Sequence, residues 1–413
     1  MARRRKVLSI FALLLGGALI AAGTVFSLLY LFLPFAYHGQ DVVAANVTLA
    51  SAAALTLGLG FILSYHARNS LKGKTSGVFF PPSPWLLTVL FALSLIVGQA
   101  MISLLPSPIL TALAFPPLHV LAAISPALAI LAFAGRRTSA ASWRTVSLEL
   151  SHGGLLAPAV ALAAEIALLL CVVLMISFLV ALTPGGLERL TELSLKLQDP
   201  GWVEDSANVA KLLLSPWALT TIVAIFVIIA PLIEEFIKGL GILLLALLAY
   251  RLPGHAEALL WGVACGAGFA LGESLFNGSI ALEGWGAVMI VRFGASLMHC
   301  VASGVMGLGW YQALVKRRPL RLLAAYGTSA GIHALWNGAA IAVAVPSLLM
   351  LTKPDDILAQ GVAGSIVIGS LGFLLFLTAS MSAILLYLTR RGTRPSSDAL
   401  PSDETSRFPA DVD

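Results

Sequence analysis

The sequence predicts an all-α, polytopic membrane helix bundle of about ten transmembrane helices, with both termini cytoplasmic. Three observations predict it. Of the 413 residues, 59% are hydrophobic and only 11% are charged, against about 25% charged in an ordinary soluble domain. About ten apolar runs reach the roughly 20 residues needed to cross a bilayer. Basic residues cluster in alternate connections, and such clusters mark the cytoplasmic side of a multi-pass protein.

The runs lie near residues 7–37, 45–65, 84–105, 115–134 and 155–183, then 215–250, 257–280, 287–314, 322–346 and 358–388. The first, opening MARRRKVLSIFALLLGGALIAAG, continues unbroken to Tyr37. That is too far for the apolar core of a signal peptide, so it reads as a retained helix. The basic clusters are residues 3–6; Arg68, Lys72 and Lys74; Arg136, Arg137 and Arg144; Lys316, Arg317, Arg318 and Arg321; and Arg390, Arg391 and Arg394. Between them fall neutral or acidic connections carrying Asp41, the 184–214 stretch, Glu283, and Asp355 with Asp356.

Residues 215–250 are long enough for two helices. Two crossings there would put the KRRPLR loop outside, against the charge rule. One crossing is therefore expected at about 232–250, with 215–231 re-entrant or interfacial and the helix broken at Pro231. The chain then divides into an N-terminal five-helix membrane region (1–183), an amphipathic extracytoplasmic loop (184–214), a second membrane region (215–388) and a disordered cytoplasmic tail (389–413) rich in Ser, Pro and Asp. No internal repeat is visible. Cys171, Cys265 and Cys300 are isolated in apolar stretches and form neither a disulfide framework nor a zinc pattern. The net charge of +5 is spread over loop clusters, so nucleic acid is not an expected partner.

Charges inside the apolar runs are the informative residues. APLIEEFIKGLG places Glu234, Glu235 and Lys238 between apolar flanks. A mid-membrane charge costs about 2.5–3.5 kcal/mol on insertion scales, so three must be paired or hydrated. At i,i+4 and i,i+3, one lysine can serve both glutamates. The next runs add Glu273 in GAGFALGESLFN, Arg292 and His299 in RFGASLMHCVASG, and His333 with Asn337 in GIHALWNGAA. Four consecutive crossings thus carry groups able to act on a proton or a carbonyl. At about 1.5 Å per residue, Glu235 is expected near the outer end of its helix, Glu273 about 10 Å in, and the two histidines near the midplane. Gly262, Gly266, Gly268 and Gly272 form small-xxx-small patterns that let helices approach closely. Glu165 and His119 lie alone in the first half and read as helix contacts.

Carboxylate, imidazole and amide in a partly hydrated membrane cavity suit peptide hydrolysis. A glutamate takes a proton from water, and a histidine or Asn337 donates to the developing oxyanion. Of the adjacent pair, Glu235 is the expected base, with Glu234 held by Lys238. Glu273, His299 and His333 supply a two-histidine, one-carboxylate set for a divalent metal such as zinc. A metal-free glutamate site built from the same residues is the alternative chemistry. The crossings contain no aspartate for an aspartyl dyad, and there is no HExxH motif.

EEFIK (an EExxK pattern), FALGE, RFGASLMH and HALWN (HxxxN), in this order over about residues 215–346, resemble the PrsW family of intramembrane proteases, relatives of the CAAX prenyl proteases. The resemblance implies that 215–388 is a catalytic membrane domain. Its site would be Glu234, Glu235, Glu273, His299 and His333, supported by Lys238, Arg292 and Asn337. It also implies a membrane-tethered substrate, such as an anti-sigma-factor-like single-span protein, cut within the bilayer of the cell membrane. The family's metalloprotease name weighs slightly toward the metal. Two other functions compete: an ion-coupled transporter, which would show internal symmetry, and a non-catalytic scaffold, in which these side chains would be dispensable.

Overall fold

The computed structural model describes residues 2–392 apart from positions 38, 40, 106, 139, 140, 250, 251, 281, 283, 353 and 354. Four helices come first: α1 (Ala2–Ala36), α2 (Val42–Leu71), α3 (Pro84–Leu104) and α4 (Pro108–Thr138). The fifth span is α5 (Trp143–Ser151), a π turn at His152–Leu156, and α6 (Ala157–Ala181). The 184–214 stretch folds into three short helices: α7 (Gly186–Gln198), α8 (Pro200–Glu204) and α9 (Ser206–Leu213). Asp199 and Asp205 start the last two by accepting from the backbone of Gly201 and Ala207, as N-cap residues do. Then follow α10 (Pro216–Val223), a π turn at Ala224–Ile229, α11 (Ala230–Ala249), α12 (His255–Ile280), α13 (Trp285–Leu314), α14 (Pro319–Thr352) and α15 (Ile357–Gly392).

Among the described residues there is no strand, only an isolated bridge between Val78 and Ser142, and ten helical spans are long and apolar enough to cross a membrane. Lipid offers no partner to backbone N–H and C=O groups, so a spanning chain must satisfy them within helices. The protein is an all-α integral membrane protein.

The centre of the bundle is α12. Its spanning window is 89% buried, the largest share of the ten. Close backbone approach puts it there. A Cβ at Gly262 or Gly266 would run into the carbonyls of Ser303 and His299 on α13, and one at Gly268 would meet the carbonyl of Leu150 on α5. The small-residue patterns therefore serve two faces of one helix. His119 is the helix contact expected: Trp285 donates to its Nδ1 at 2.9 Å, and its Nε2 reaches the Leu275 carbonyl at 3.0 Å. It ties α4 to both α12 and α13.

The α2–α3 and α4–α5 connections, both basic, meet on one face. Arg144 donates to the Lys74 carbonyl at 2.9 Å, and Phe79 and Ala141 share a backbone bond of 2.8 Å.

Three expectations need correction. Residues 215–231 are not set apart from the crossing, because α10, the π turn and α11 form one span, Pro216–Leu248. The helix also passes through Pro231 instead of breaking. A proline ring clashes with the carbonyl four residues earlier, here that of Val227. The widened π turn over Ala224–Ile229, with Ala230 N–H bonded to Ile225, comes directly before it and redirects those carbonyls. Finally, α15 continues through 389–392, where the tail was expected to begin. Arg390 and Arg391 in its last turn suit the negative end of a helix dipole. Glu283, Arg394 and the tail from 393 lie outside the described residues.

Candidate active site

The π turn and Pro231 lead into the first turns of α11, where Glu234, Glu235 and Lys238 follow one another. Lys238 points back along the helix and reaches both carboxylates, Glu235 Oε1 at 2.7 Å and Glu234 Oε2 at 3.3 Å. From α13, His299 presents Nδ1 to the same ammonium at 3.0 Å. An ammonium only donates, so Nδ1 accepts. The hydrogen then sits on Nε2, which faces Glu273 Oε2 of α12 at 2.6 Å. Arg292 holds that glutamate in a two-armed fork, at 2.9 and 2.8 Å, and its Nε reaches Ser274 Oγ at 3.2 Å. From α14, His333 places Nδ1 3.0 Å from Glu235 Oε1 and Nε2 3.8 Å from Glu234 Oε2. The two imidazoles meet edge to face with centroids 4.8 Å apart.

Seven of the eight expected residues therefore form one linked cluster across α11, α12, α13 and α14. Their burial differs. The side chains of Glu235 and Lys238 are fully buried, Glu234 is 14% exposed and Glu273 is 32% exposed. Glu235 is thus closed off, with Oε1 shared by Lys238 and His333 and a buried Oε2 that has no hydrogen-bond partner among the described residues. Glu234 is the looser member of the pair, on the open side. Its depth also differs from expectation. With the span running from Pro216 to Leu248, the glutamate pair lies well inside the helix and not near its outer end.

Asn337 does not join the cluster. Its amide donates to the Phe226 carbonyl at 2.9 Å. In the π register that carbonyl would pair with the N–H of residue 231, which is proline and has none. The asparagine satisfies the acceptor that the proline leaves.

The metal set differs from the expected one in its carboxylate. Glu234, His299 and His333, not Glu273, bring ligand atoms within 4.8 Å of one another. Glu273 is occupied by the Arg292 fork and by His299. The set fits a divalent ion in composition. It also fits in support, since metal-binding imidazoles are usually backed by a carboxylate on the other ring nitrogen. Glu235 stands at His333 Nδ1 and Glu273 at His299 Nε2. His299 Nδ1, however, faces Lys238 in this arrangement, so ion and ammonium are alternatives at that nitrogen.

Residues 193–368 match the model described as PrsW family intramembrane metalloprotease. The match extends the resemblance carried by the four motifs to α7 on one side and into α15 on the other, and leaves the first five spans outside it. Neither the curated proteins nor the solved structures contain a match to the chain. The match supports a membrane-protease domain over residues 193–368.

Several site residues were not singled out in the sequence. Asn277 donates to Glu273 Oε1 at 3.1 Å, and its i+4 spacing from Glu273 was the available signal. Phe269 lies under the Lys238 ammonium, 3.7 Å from nitrogen to ring centroid.

Proposed function

We propose that the chain is a peptidase of the plasma membrane that hydrolyses a bond in a membrane-tethered, single-span protein of the anti-sigma-factor kind, with Glu234 taking the proton of the attacking water. The observation that carries this reading is the inequality of the two adjacent glutamates. Glu235 is buried and committed to Lys238 and His333, whereas Glu234 keeps partial exposure and looser contacts. A base must reach its water. The roles expected for the pair are therefore exchanged, and Glu235 orients while Glu234 reacts.

Glu234 receives the proton and can return it to the leaving amine. Lys238, 3.3 Å from Glu234, keeps a fixed positive charge beside the reacting group, worth more in a dry site than in water. Arg292, Glu273 and His299 form the strut that holds Lys238 in place. A divalent ion such as zinc would be held by Glu234, His299 and His333 and would supply Lewis acidity and a more acidic water; that site is the alternative to the one in which Glu234 is the free base. A groove of about 690 Å³ between the second π turn, α14 and α15, lined by Val227, Gly331, Gly338, Ala342 and Phe373, runs along the helix that carries His333. Access from within the bilayer is what a membrane-embedded substrate needs.

The test is cleavage in liposomes. The purified chain, reconstituted with single-span reporter proteins, should yield mass-defined fragments, and the His333→Ala variant should yield none. Equal cleavage by the variant, or no fragment from wild type across the panel, would refute the assignment.

A further inference from the structure

A second cavity, sharing no residue with the glutamate–histidine cluster, opens between α2, α4, α5 and the loop before α3. It measures about 430 Å³, within the roughly 300–1,000 Å³ of small-ligand sites. Its walls are nearly all apolar, with Phe61, Tyr65, Phe79, Leu131, Trp143 and Val146 the main contributors. A helix is about 10–12 Å across, so a space of this size would take only about one turn of it. The cavity suits a flexible chain and not a partner helix.

Its rim is cationic. Arg68, Lys72 and Lys74 leave the end of α2, Arg136 and Arg137 the end of α4, and Arg144 the start of α5. Residues 66–83 and 136–148 contain no acidic residue. The rim is also built. Arg136 lies over the Phe80 ring at 4.6 Å and donates to the carbonyls of Pro81 and Pro82, and Arg137 lies over Phe133 at 4.7 Å. Tyr65, Phe80 and Trp85 stand exposed around the mouth, as aromatic side chains do at the level of lipid headgroups. Basic pockets between spans on the cytoplasmic side are where anionic headgroups bind.

We propose that this cavity holds one acyl chain of an anionic phospholipid of the cytoplasmic leaflet, with its phosphate on the basic rim. The assignment is independent of the peptidase reading and concerns the region outside the family match. Native mass spectrometry of the full chain, delipidated in detergent and offered equal amounts of phosphatidylglycerol and phosphatidylcholine, tests it. Wild type should retain one phosphatidylglycerol per chain, at least tenfold over phosphatidylcholine. The double variant Lys72→Gln, Arg137→Gln should lose that preference, and Ala132→Phe, which fills the cavity from α4, should lose the bound lipid. If Ala132→Phe does not fold, the double variant decides alone. Equal retention of both lipids by wild type, or an unchanged preference in the double variant, overturns the proposal.

Discussion

α12 and α6 both cross the membrane with a glutamate well inside the helix, Glu273 and Glu165 respectively, and they are built in opposite ways. The α12 window is 89% buried and that of the α5–α6 span only 6%. On α12, Glu273 meets both arms of Arg292, His299 and Asn277. On α6, Leu162, Leu170 and Leu174 face outward, and Glu165 Oε1 is buried without a hydrogen-bond partner among the described residues. The outer helix must be as apolar as lipid, whereas the inner one is surrounded by protein and can carry glycine, glutamate and serine. The linked cluster draws on both kinds of span: α12 and α13 are 89% and 67% buried, whereas the α10–α11 span and α14 are each 22% buried.

Breaking the α12 side should cost most. Arg292→Ala leaves Glu273 without its fork; because the Glu273 side chain is 32% exposed, the loss should fall at the lower end of the about 3–5 kcal/mol for breaking a buried ion pair. Unfolding in mixed micelles should show this, and a change no larger than that of Leu174→Ala on α6 would count against the strut. Next comes Gly266→Ala, whose new methyl meets the His299 carbonyl. Overpacking of this kind costs about 1–3 kcal/mol, whereas Gly272→Ala, with its nearest contact at 3.4 Å, should be nearly neutral. Equal effects would mean that α12 is not pinned where the glycines suggest.

The ion sharpens the contrast between the carboxylates. If the metal alternative holds, elemental analysis should find about one divalent ion per chain, lost in Glu234→Gln. Glu273→Gln, behind His299, should weaken its affinity only by about 10–100-fold. Loss in Glu273→Gln with retention in Glu234→Gln would restore the ligand set expected from sequence. The smallest effect belongs to α6, where Leu174→Val should change stability by no more than about 0.5 kcal/mol.

The helical class, the ten spans and the cluster of Glu234, Glu235, Lys238, Glu273, Arg292, His299 and His333 were legible because membrane charges are expensive and have to be grouped. Three matters were not. The Pro231 passage depended on a π turn, which apolar periodicity does not encode. Asn337 shares a helix face with His333, but the carbonyl it serves is exposed by that same turn. The division of labour within the glutamate pair depends on which side chain keeps exposure, and adjacent helix positions leave that open.

That division is the central claim, and single-turnover cleavage tests it directly. Glu234→Gln and Glu235→Gln would be compared for rate on one tethered reporter and for stability in the same micelles. Removing the base should slow Glu234→Gln by about 10²–10⁴-fold with stability near wild type, while Glu235→Gln should lose mainly stability, its partners Lys238 and His333 being left in the core. A Glu234→Gln variant that cleaves at the wild-type rate, beside a stable but inactive Glu235→Gln, would contradict the account.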